Sequence, residues 1–261
     1  PIFQRSLVWT EGQMRELFDS ITKGYPIGSV LLWLPKEDFK CYEYFGPYIT
    51  NSNFDKQTKY ILDGSQRLST LFGVLSNPNT HQIYENQKLK KFSLFYNLKD
   101  EEFTYTKTKS NLKYLIPLYS IVDTFEFLDF LKKLQDAIED DSERERLINN
   151  AKTINKILID YEIPYTIING GDINSAVEIF SRVNSTGTEI SEDWMLSALL
   201  YNNVSNFLLS EKITEFLDQM KKYNFDNLKQ DTILNCIACA CDDKKVFFDV
   251  KVEELAKKDK N

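Results

Sequence analysis

Apolar residues recur along this chain at two different periods, and the switches between them mark out the elements. Met14, Leu17, Phe18 and Ile21 stand at helical spacing, which predicts an amphipathic helix over Glu11 to Lys23 closed by Gly24. The continuous apolar run from Ile27 to Leu34, bounded by Gly28 and Pro35, predicts a buried strand. Phe39 to Phe45 and Lys59 to Leu62 predict further strands. The second runs into Asp63-Gly64 and then into a helix carrying Leu68, Leu71, Phe72 and Leu75. Phe92 to Tyr96 and Phe103 to Tyr105 alternate as a hairpin does, with Asn97 to Glu101 as its turn.

After Pro117 the pattern turns helical. Phe125 to Ile138 and Ser142 to Ile159 are charge-rich and flank the acidic run Glu139-Asp140-Asp141, which reads as a solvated helical pair. Tyr161 to Ile168 returns to strand composition. Gly170-Gly171 then opens a helix with Ala176, Ile179, Phe180 and Val183 on one face. From Ser191 the pattern is helical to about Ala240. Ser191 fits an N-cap, Glu192 and Asp193 suit the helix dipole, and Ile190 is placed to staple against Met195. The fold class is therefore α+β: a mixed sheet followed by a largely helical half.

Composition narrows the functional classes. With 261 residues, 42% of them hydrophobic and 13% aromatic, the chain can bury a core without metals or disulfides. Its formal charge of -7 makes the surface as a whole repel a phosphate backbone, so any DNA contact must be local or supplied by another segment. No stretch approaches the roughly 20 apolar residues of a membrane span, and Pro1 to Trp9 lack the layout of a signal peptide. The chain reads as cytoplasmic, with no membrane partner. Cysteines at 41, 236, 239 and 241 form no even disulfide framework, and buried free thiols account for them better than zinc, since the sole histidine is His81. His81 sits in a polar stretch and reads as a surface residue.

Two segments could carry chemistry. Asp63-Gly64-Ser65-Gln66-Arg67 lies where a strand meets a helix N-terminus, whose unpaired backbone N–H groups form a ready anion site. Arg67 in the first turn opposes the helix dipole, a conflict an intervening anion would relieve. Gly64 allows close approach, Gln66 can donate to phosphate oxygens and Arg67 can grip them in a fork. A surface arginine paired with a nearby carboxylate is the competing account, and on local chemistry both stand. The second segment is Phe180 to Gly187, where Asn184, Ser185 and Thr186 offer neutral oxygens that suit magnesium beside phosphate, and Arg182 adds a charge. Ordinary helix C-capping is the alternative there. The chain has no Walker phosphate loop, no dinucleotide fingerprint and no histidine-based triad or zinc motif.

The run Asp63-Gly64-Ser65-Gln66-Arg67-Leu68-Ser69-Thr70 resembles the D-G-Q-Q-R-x-x-T signature of the N-terminal domain of GmrSD-type modification-dependent restriction enzymes, a family distantly similar to the ParB and sulfiredoxin fold. Arg5 to Trp9, Gly24 to Gly28 and Phe180 to Gly187 resemble its other blocks, in the same order. Ser65 stands where the family usually has Gln, which shortens a possible phosphate contact.

The resemblance implies a ParB-like nucleotide-binding part over residues 1–122 and a mainly helical part over 123–261 that carries Asn184. It implies magnesium-dependent binding and hydrolysis of a nucleoside triphosphate, within a type IV-like restriction or phage-defence system. Asp63, Gln66, Arg67 and Asn184 would form the catalytic set; Gly64, Ser65, Arg67, Arg182 and Arg5 would hold the nucleotide; Asn184 and Asp63 would hold Mg2+. Trp9 lines the same pocket or anchors the core, and Glu178 is a candidate base. Partners implied are modified DNA, reached through the full-length protein or a complex, and a C-terminal His-Me finger nuclease; a homo-oligomer stays open. That nuclease needs histidine, so the cutting domain is expected to be missing here and no nuclease activity is expected. A DNA-binding or modification-sensing module without turnover is the rival. Arg67→Ala is expected to abolish nucleotide binding with the fold intact.

Overall fold

A computed structural model describes residues 7–36, 39, 41–50, 58–84, 89–108, 111–173, 175, 176, 178, 179 and 209–241. Helix α1 (Glu11–Thr22) is fixed by a reciprocal box: the Thr10 hydroxyl accepts from the Gln13 amide, and the Gln13 side chain accepts from the Thr10 amide at 2.9 Å. Met14, Leu17, Phe18 and Ile21 form its buried face, as their spacing requires. Gly24, at φ +68, follows its end.

Strand β1 is Val30–Leu34, three residues shorter than the apolar run suggests. Gly28 takes φ +86, a left-handed conformation incompatible with extended pairing, so Ile27 to Ser29 form a loop. Among the described residues of the Phe39 to Phe45 run only β2 (Tyr44–Phe45) is strand, paired with β3 (Tyr48–Ile49). Phe39 instead exchanges hydrogen bonds with a side chain: its N–H donates to the Tyr60 hydroxyl at 2.7 Å, and that hydroxyl donates to its carbonyl at 3.0 Å. Strand β4 (Tyr60–Asp63) leads into helix α2 (Ser65–Leu75).

Helix α2 buries Ser69, Thr70, Gly73 and Val74, while Leu68, Leu71, Phe72 and Leu75 are only half-buried. The small side chains let neighbours approach closely. A Cβ at Gly73 would stand 2.2 Å from the Phe92 ring and 2.8 Å from Pro47. Phe72 turns instead to an aromatic group of Phe45, Tyr48 and His81. His81 is therefore not a free surface residue: it is half-buried, its ring 4.9 Å from that of Tyr48.

Strands β5 (Phe95–Asn97), β6 (Glu102–Thr104) and β7 (Leu115–Pro117) form an antiparallel sheet in the order β6-β5-β7. The Asn97 side chain accepts from the amides of Lys99 and Asp100 and so shapes the turn. Helix α3 (Leu118–Val122) follows, then α4 (Thr124–Ala137), capped by Asp123, and α5 (Asp141–Asp160), capped by Asp140. The pair α4 and α5 is more than a solvated appendage. Leu134, Leu147, Ala151 and Ile154 belong to the same core as Met14, Phe18, Leu94 and Ile116, and that core draws on residues from both sides of position 122.

Strand β8 (Tyr165–Asn169) pairs parallel to β1, which pairs antiparallel to β4, giving a small mixed sheet in the order β4-β1-β8. Trp33 at its centre is fully buried and donates through Nε1 to the Gly170 carbonyl at 2.9 Å. Asp172 then accepts from the Ser175 amide at the start of a helical stretch, and Ile173 and Ala176 pack with Leu31, Trp33, Tyr60 and Leu62.

Helices α6 (Leu209–Lys221) and α7 (Gln230–Cys241) pack on each other through Leu209, Ile213 and Leu234. The helical pattern is thus broken across residues 222–229, where Asn224 takes φ +66. Cys236 is exposed and Cys41 half-buried, so neither is the fully buried thiol expected. The Ser191 cap lies outside the described residues. The architecture is α+β, a small mixed sheet with a largely helical second half. Among the described residues no helix is long and apolar enough to cross a membrane.

Candidate functional site

The site is built at the end of β4. Leu32 pairs with Ile61, but the next β1 residue, Leu31, pairs with Asp63, so two residues of β4 oppose one of β1. Such an irregularity re-aims the side chain beside it. Here that side chain is Asp63, delivered at the mouth of α2. Gly64 is the N-cap of α2 at φ +91 and supplies no side-chain cap. A Cβ there would stand 3.1 Å from Val30 and 3.4 Å from Nη2 of Arg67, so glycine is required on conformational and steric grounds alike. The α2 ladder begins with Leu68 N–H donating to the Gly64 carbonyl at 2.9 Å. The amides of Ser65, Gln66 and Arg67 precede that bond, in the first turn where a helix offers N–H groups to an anion.

The side chains of this turn reach sideways. Arg67 donates through Nη1 to the Ile27 carbonyl at 2.7 Å, and through Nη2 to the Ser29 carbonyl and to Asp63 Oδ2, both at 3.0 Å. Its side chain is 16% exposed and that of Asp63 33%. Paired with Asp63, Arg67 no longer stands as an isolated cation against the helix dipole. A bidentate grip on phosphate that uses Nη2 must take it from Ser29 or Asp63. Gln66 accepts from the Val8 amide at 2.9 Å through Oε1.

The motif therefore joins three separate segments: the stretch containing Val8 and Trp9, the loop from Gly24 to Ser29, and the β4–α2 junction. Trp9 is half-buried against the main core, which supports its role as a core anchor. Tyr161, just past α5, holds the same loop from the other side; its hydroxyl donates to the Tyr25 carbonyl at 2.8 Å and accepts from the Ile27 amide at 3.3 Å. The sequence offered a signal for the loop contact, a glycine inside an apolar run, but none for Tyr161.

Thr70, the final residue of the motif, is fully buried. Its hydroxyl has no hydrogen-bond partner among the described residues. Glu178 is exposed on the helical stretch after β8. Arg5, Arg182 and Asn184 lie outside the described residues. Within those described, no group of three His, Cys, Asp or Glu side chains could hold a metal, so Asp63 is the one carboxylate of the expected set at this junction.

A family model described as GmrSD restriction endonuclease, N-terminal domain, matches residues 1–201. An uncharacterised protein of Methanocaldococcus jannaschii is 27% identical over 267 aligned positions, covering 89% of this chain and 43% of its own length. The chain thus spans less than half the length of that curated relative.

Proposed function

The chain belongs to the GmrSD restriction endonuclease N-terminal domain family, and from that premise we propose that it is a nucleotide-binding regulatory module of a modification-dependent restriction or phage-defence system, one that binds and hydrolyses a nucleoside triphosphate with magnesium. The observation that carries this reading is the convergence on the first turn of α2. Gln66 and Arg67 tie down Val8, Ile27 and Ser29, so separated segments of one matched family meet where a helix end offers amides to an anion.

The residues at this junction fit a magnesium nucleotide in one respect that matters. Magnesium bound to nucleotide takes one or two carboxylates and fills its remaining positions with phosphate oxygens and water. Asp63, partly exposed at the strand end, can supply one carboxylate oxygen. Asn184 would supply a neutral one. Bound there, the metal would offset charge on the β- and γ-phosphates. The Ser65 amide and hydroxyl would receive phosphate oxygens across Gly64, where the absence of a side chain permits approach. Arg67, together with Arg5 and Arg182, would balance the charge that builds on the transferring phosphoryl group. Partnership with a nuclease domain and with modified DNA belongs to the same proposal and concerns the full-length protein.

Thermal-shift measurements with each of the four NTPs, with and without magnesium, test binding, and phosphate release on the same sample tests turnover. A magnesium-dependent rise in melting temperature with steady phosphate release is expected. Binding without release leaves a sensor and removes the hydrolase. Absence of binding to any NTP removes the nucleotide reading.

A further inference from the structure

The loop between α1 and β1 is bracketed by two left-handed glycines, Gly24 at φ +68 and Gly28 at φ +86. Tyr25, between them, is 58% exposed. Between those hinges the chain is held by side chains from elsewhere. Tyr161 grips it at the Tyr25 carbonyl and the Ile27 amide. Arg67 grips it at the carbonyls of Ile27 and Ser29. The strap is therefore fastened by the same guanidinium that would meet phosphate at the first turn of α2.

We propose that this strap is an anion-released latch: triphosphate at the α2 N-terminus draws Arg67 away from the Ile27 and Ser29 carbonyls and lets the Gly24–Ser29 segment open. The inference rests on the anion site proposed above. The physical ground is the inequality of the acceptors. Two of the three groups that hold Arg67 are neutral carbonyls, whereas a phosphate offers the guanidinium a full opposite charge and two acceptor oxygens matched to its fork. The third, Asp63, is also an expected magnesium ligand, so a metal nucleotide would compete for both ends of the Arg67–Asp63 pair at once. Arginine stays charged throughout, so the exchange needs no proton. Gly28 makes the fastening close: a Cβ there would stand 2.5 Å from Nη1 and force the guanidinium away.

The strap joins α1 to β1, and β1 is the central strand of the sheet. Its release would pass the presence of nucleotide to both, which is the behaviour a regulatory module requires: a two-position element whose balance a ligand shifts.

Hydrogen exchange on the whole chain, read by mass spectrometry, tests the latch with inorganic triphosphate and magnesium as the probe. Binding is measured separately by calorimetry on the same sample. Saturating triphosphate is expected to speed exchange of the Tyr25, Ile27, Gly28 and Ser29 amides by about tenfold, while the buried face of α1 is unchanged. Gly28→Ala is expected to exchange fast without the probe, to gain little from it, and to bind triphosphate more tightly than the parent. Should Gly28→Ala not fold, Tyr161→Phe provides the second reading. It removes the strap's other fastening, and is expected to raise the basal exchange rate while leaving a further rise on adding triphosphate. Measured binding with unchanged or slower strap exchange overturns the latch and leaves the anion site standing. Absence of binding by both calorimetry and exchange overturns the site and the latch with it.

Discussion

Arg67 lies so close over Gly28 that a single added carbon there would come within 2.5 Å of its Nη1. The pair explains two features of the chain that look unrelated in sequence, a glycine inside an apolar run and an arginine in the first turn of a helix. Each is the condition for the other: without a Cβ at 28 the guanidinium can reach the Ile27 carbonyl, and with its donors on Ile27, Ser29 and Asp63 it no longer opposes the helix dipole alone.

Arg67→Ala is expected to cost stability as well as nucleotide affinity. Hydrogen bonds to a charged group are each worth about 1.5–3 kcal/mol, and truncation leaves two loop carbonyls and Asp63 without their partner, so a loss of about 2–4 kcal/mol is expected. The three bonds thus give Arg67 a structural role beside the one expected in binding. Urea denaturation of the unliganded protein measures it. A loss below about 0.5 kcal/mol, the scale of ordinary surface substitutions, would mean the three bonds hold nothing together.

Gly73→Ala brings a methyl group to 2.2 Å from the Phe92 ring and 2.8 Å from Pro47. Overpacking of this kind costs about 1–3 kcal/mol, more than the roughly 1 kcal/mol that alanine gains over glycine in a helix. A net loss is expected, and Phe92→Leu in the same chain should recover part of it. A double-mutant cycle read by denaturation checks the coupling; additive effects would place the clash elsewhere.

Much of the fold was legible from period alone. The buried face of α1, the β5–β6 hairpin and the limits of α4 and α5 to within a residue follow from spacing, while the caps Thr10, Asp123 and Asp140 emerge only in the structure. What escaped was decided by tertiary partners. On α2 the spacing marked Leu71 and Leu75, which do pack against the main core, but not the more deeply buried Ser69 and Gly73, which serve close approach rather than apolarity. Phe39 left the sheet because the Tyr60 hydroxyl took both its backbone groups. At the site, the residue types at the β4–α2 junction were readable from the motif. Their direction was not, because the acceptors of Arg67 are backbone carbonyls, which no side-chain pattern reveals.

Thr70→Val replaces a buried hydroxyl that lacks a partner with a methyl group of similar shape. Burying an unpaired hydroxyl costs about 1–3 kcal/mol by mutational measures, so the valine variant is expected to be more stable by about 1 kcal/mol. Chemical denaturation reads the difference. A loss of stability would show that the hydroxyl is bonded to an ordered water or a ligand, and would move Thr70 into the functional set.

Alkaline pH should weaken the fold through its buried tyrosines, Tyr48, Tyr96 and Tyr105, each raised chiefly by burial. Burial pushes the Tyr48 hydroxyl up to about 12, with Tyr119 adding to the effect. Burial likewise raises Tyr96 to about 12, with the Glu101 carboxylate as the lesser cause. A tyrosine with a folded pKa above its unfolded value near 10 favours folding while it is neutral. Above pH 10 the unfolded chain sheds the proton first, so stability falls as pH rises from about 10 to 12. Melting temperature followed from pH 8 to 12 should show this decline, and Tyr96→Phe should make it shallower. Tyr48→Phe should do the same at lower overall stability, because the hydroxyl donates to the Ser76 carbonyl at 3.1 Å. An identical slope in both variants would rule these groups out.

Asn184 is expected to act with Asp63 and Arg67 on one nucleotide, although more than a hundred residues separate them. Strand β8 runs parallel to β1, with Tyr165 opposite Val30 at the Asp63 end of the sheet and Asn169 opposite Leu34 at the far end. The chain turns at Gly170, whose amide donates to the Leu34 carbonyl, and the helical stretch that follows packs Ile173 and Ala176 on the sheet with Leu31, Trp33, Tyr60 and Leu62. Leu62 immediately precedes Asp63, so this stretch packs on the strand that delivers Asp63 to the site. Neither segment alone offers enough ligands for a triphosphate and its metal, whereas together they would complete the octahedral shell that magnesium demands. Asn184→Ala should therefore weaken magnesium-dependent nucleotide affinity more than the metal-free component, while Arg67→Ala weakens both. The double variant should lose less than the sum of the singles, because residues on one ligand are not independent. Calorimetric titration of the four proteins, with and without magnesium, decides the matter. Strictly additive losses, or a separation of Asn184 and Arg67 above about 15 Å in a nucleotide complex, would falsify the shared site.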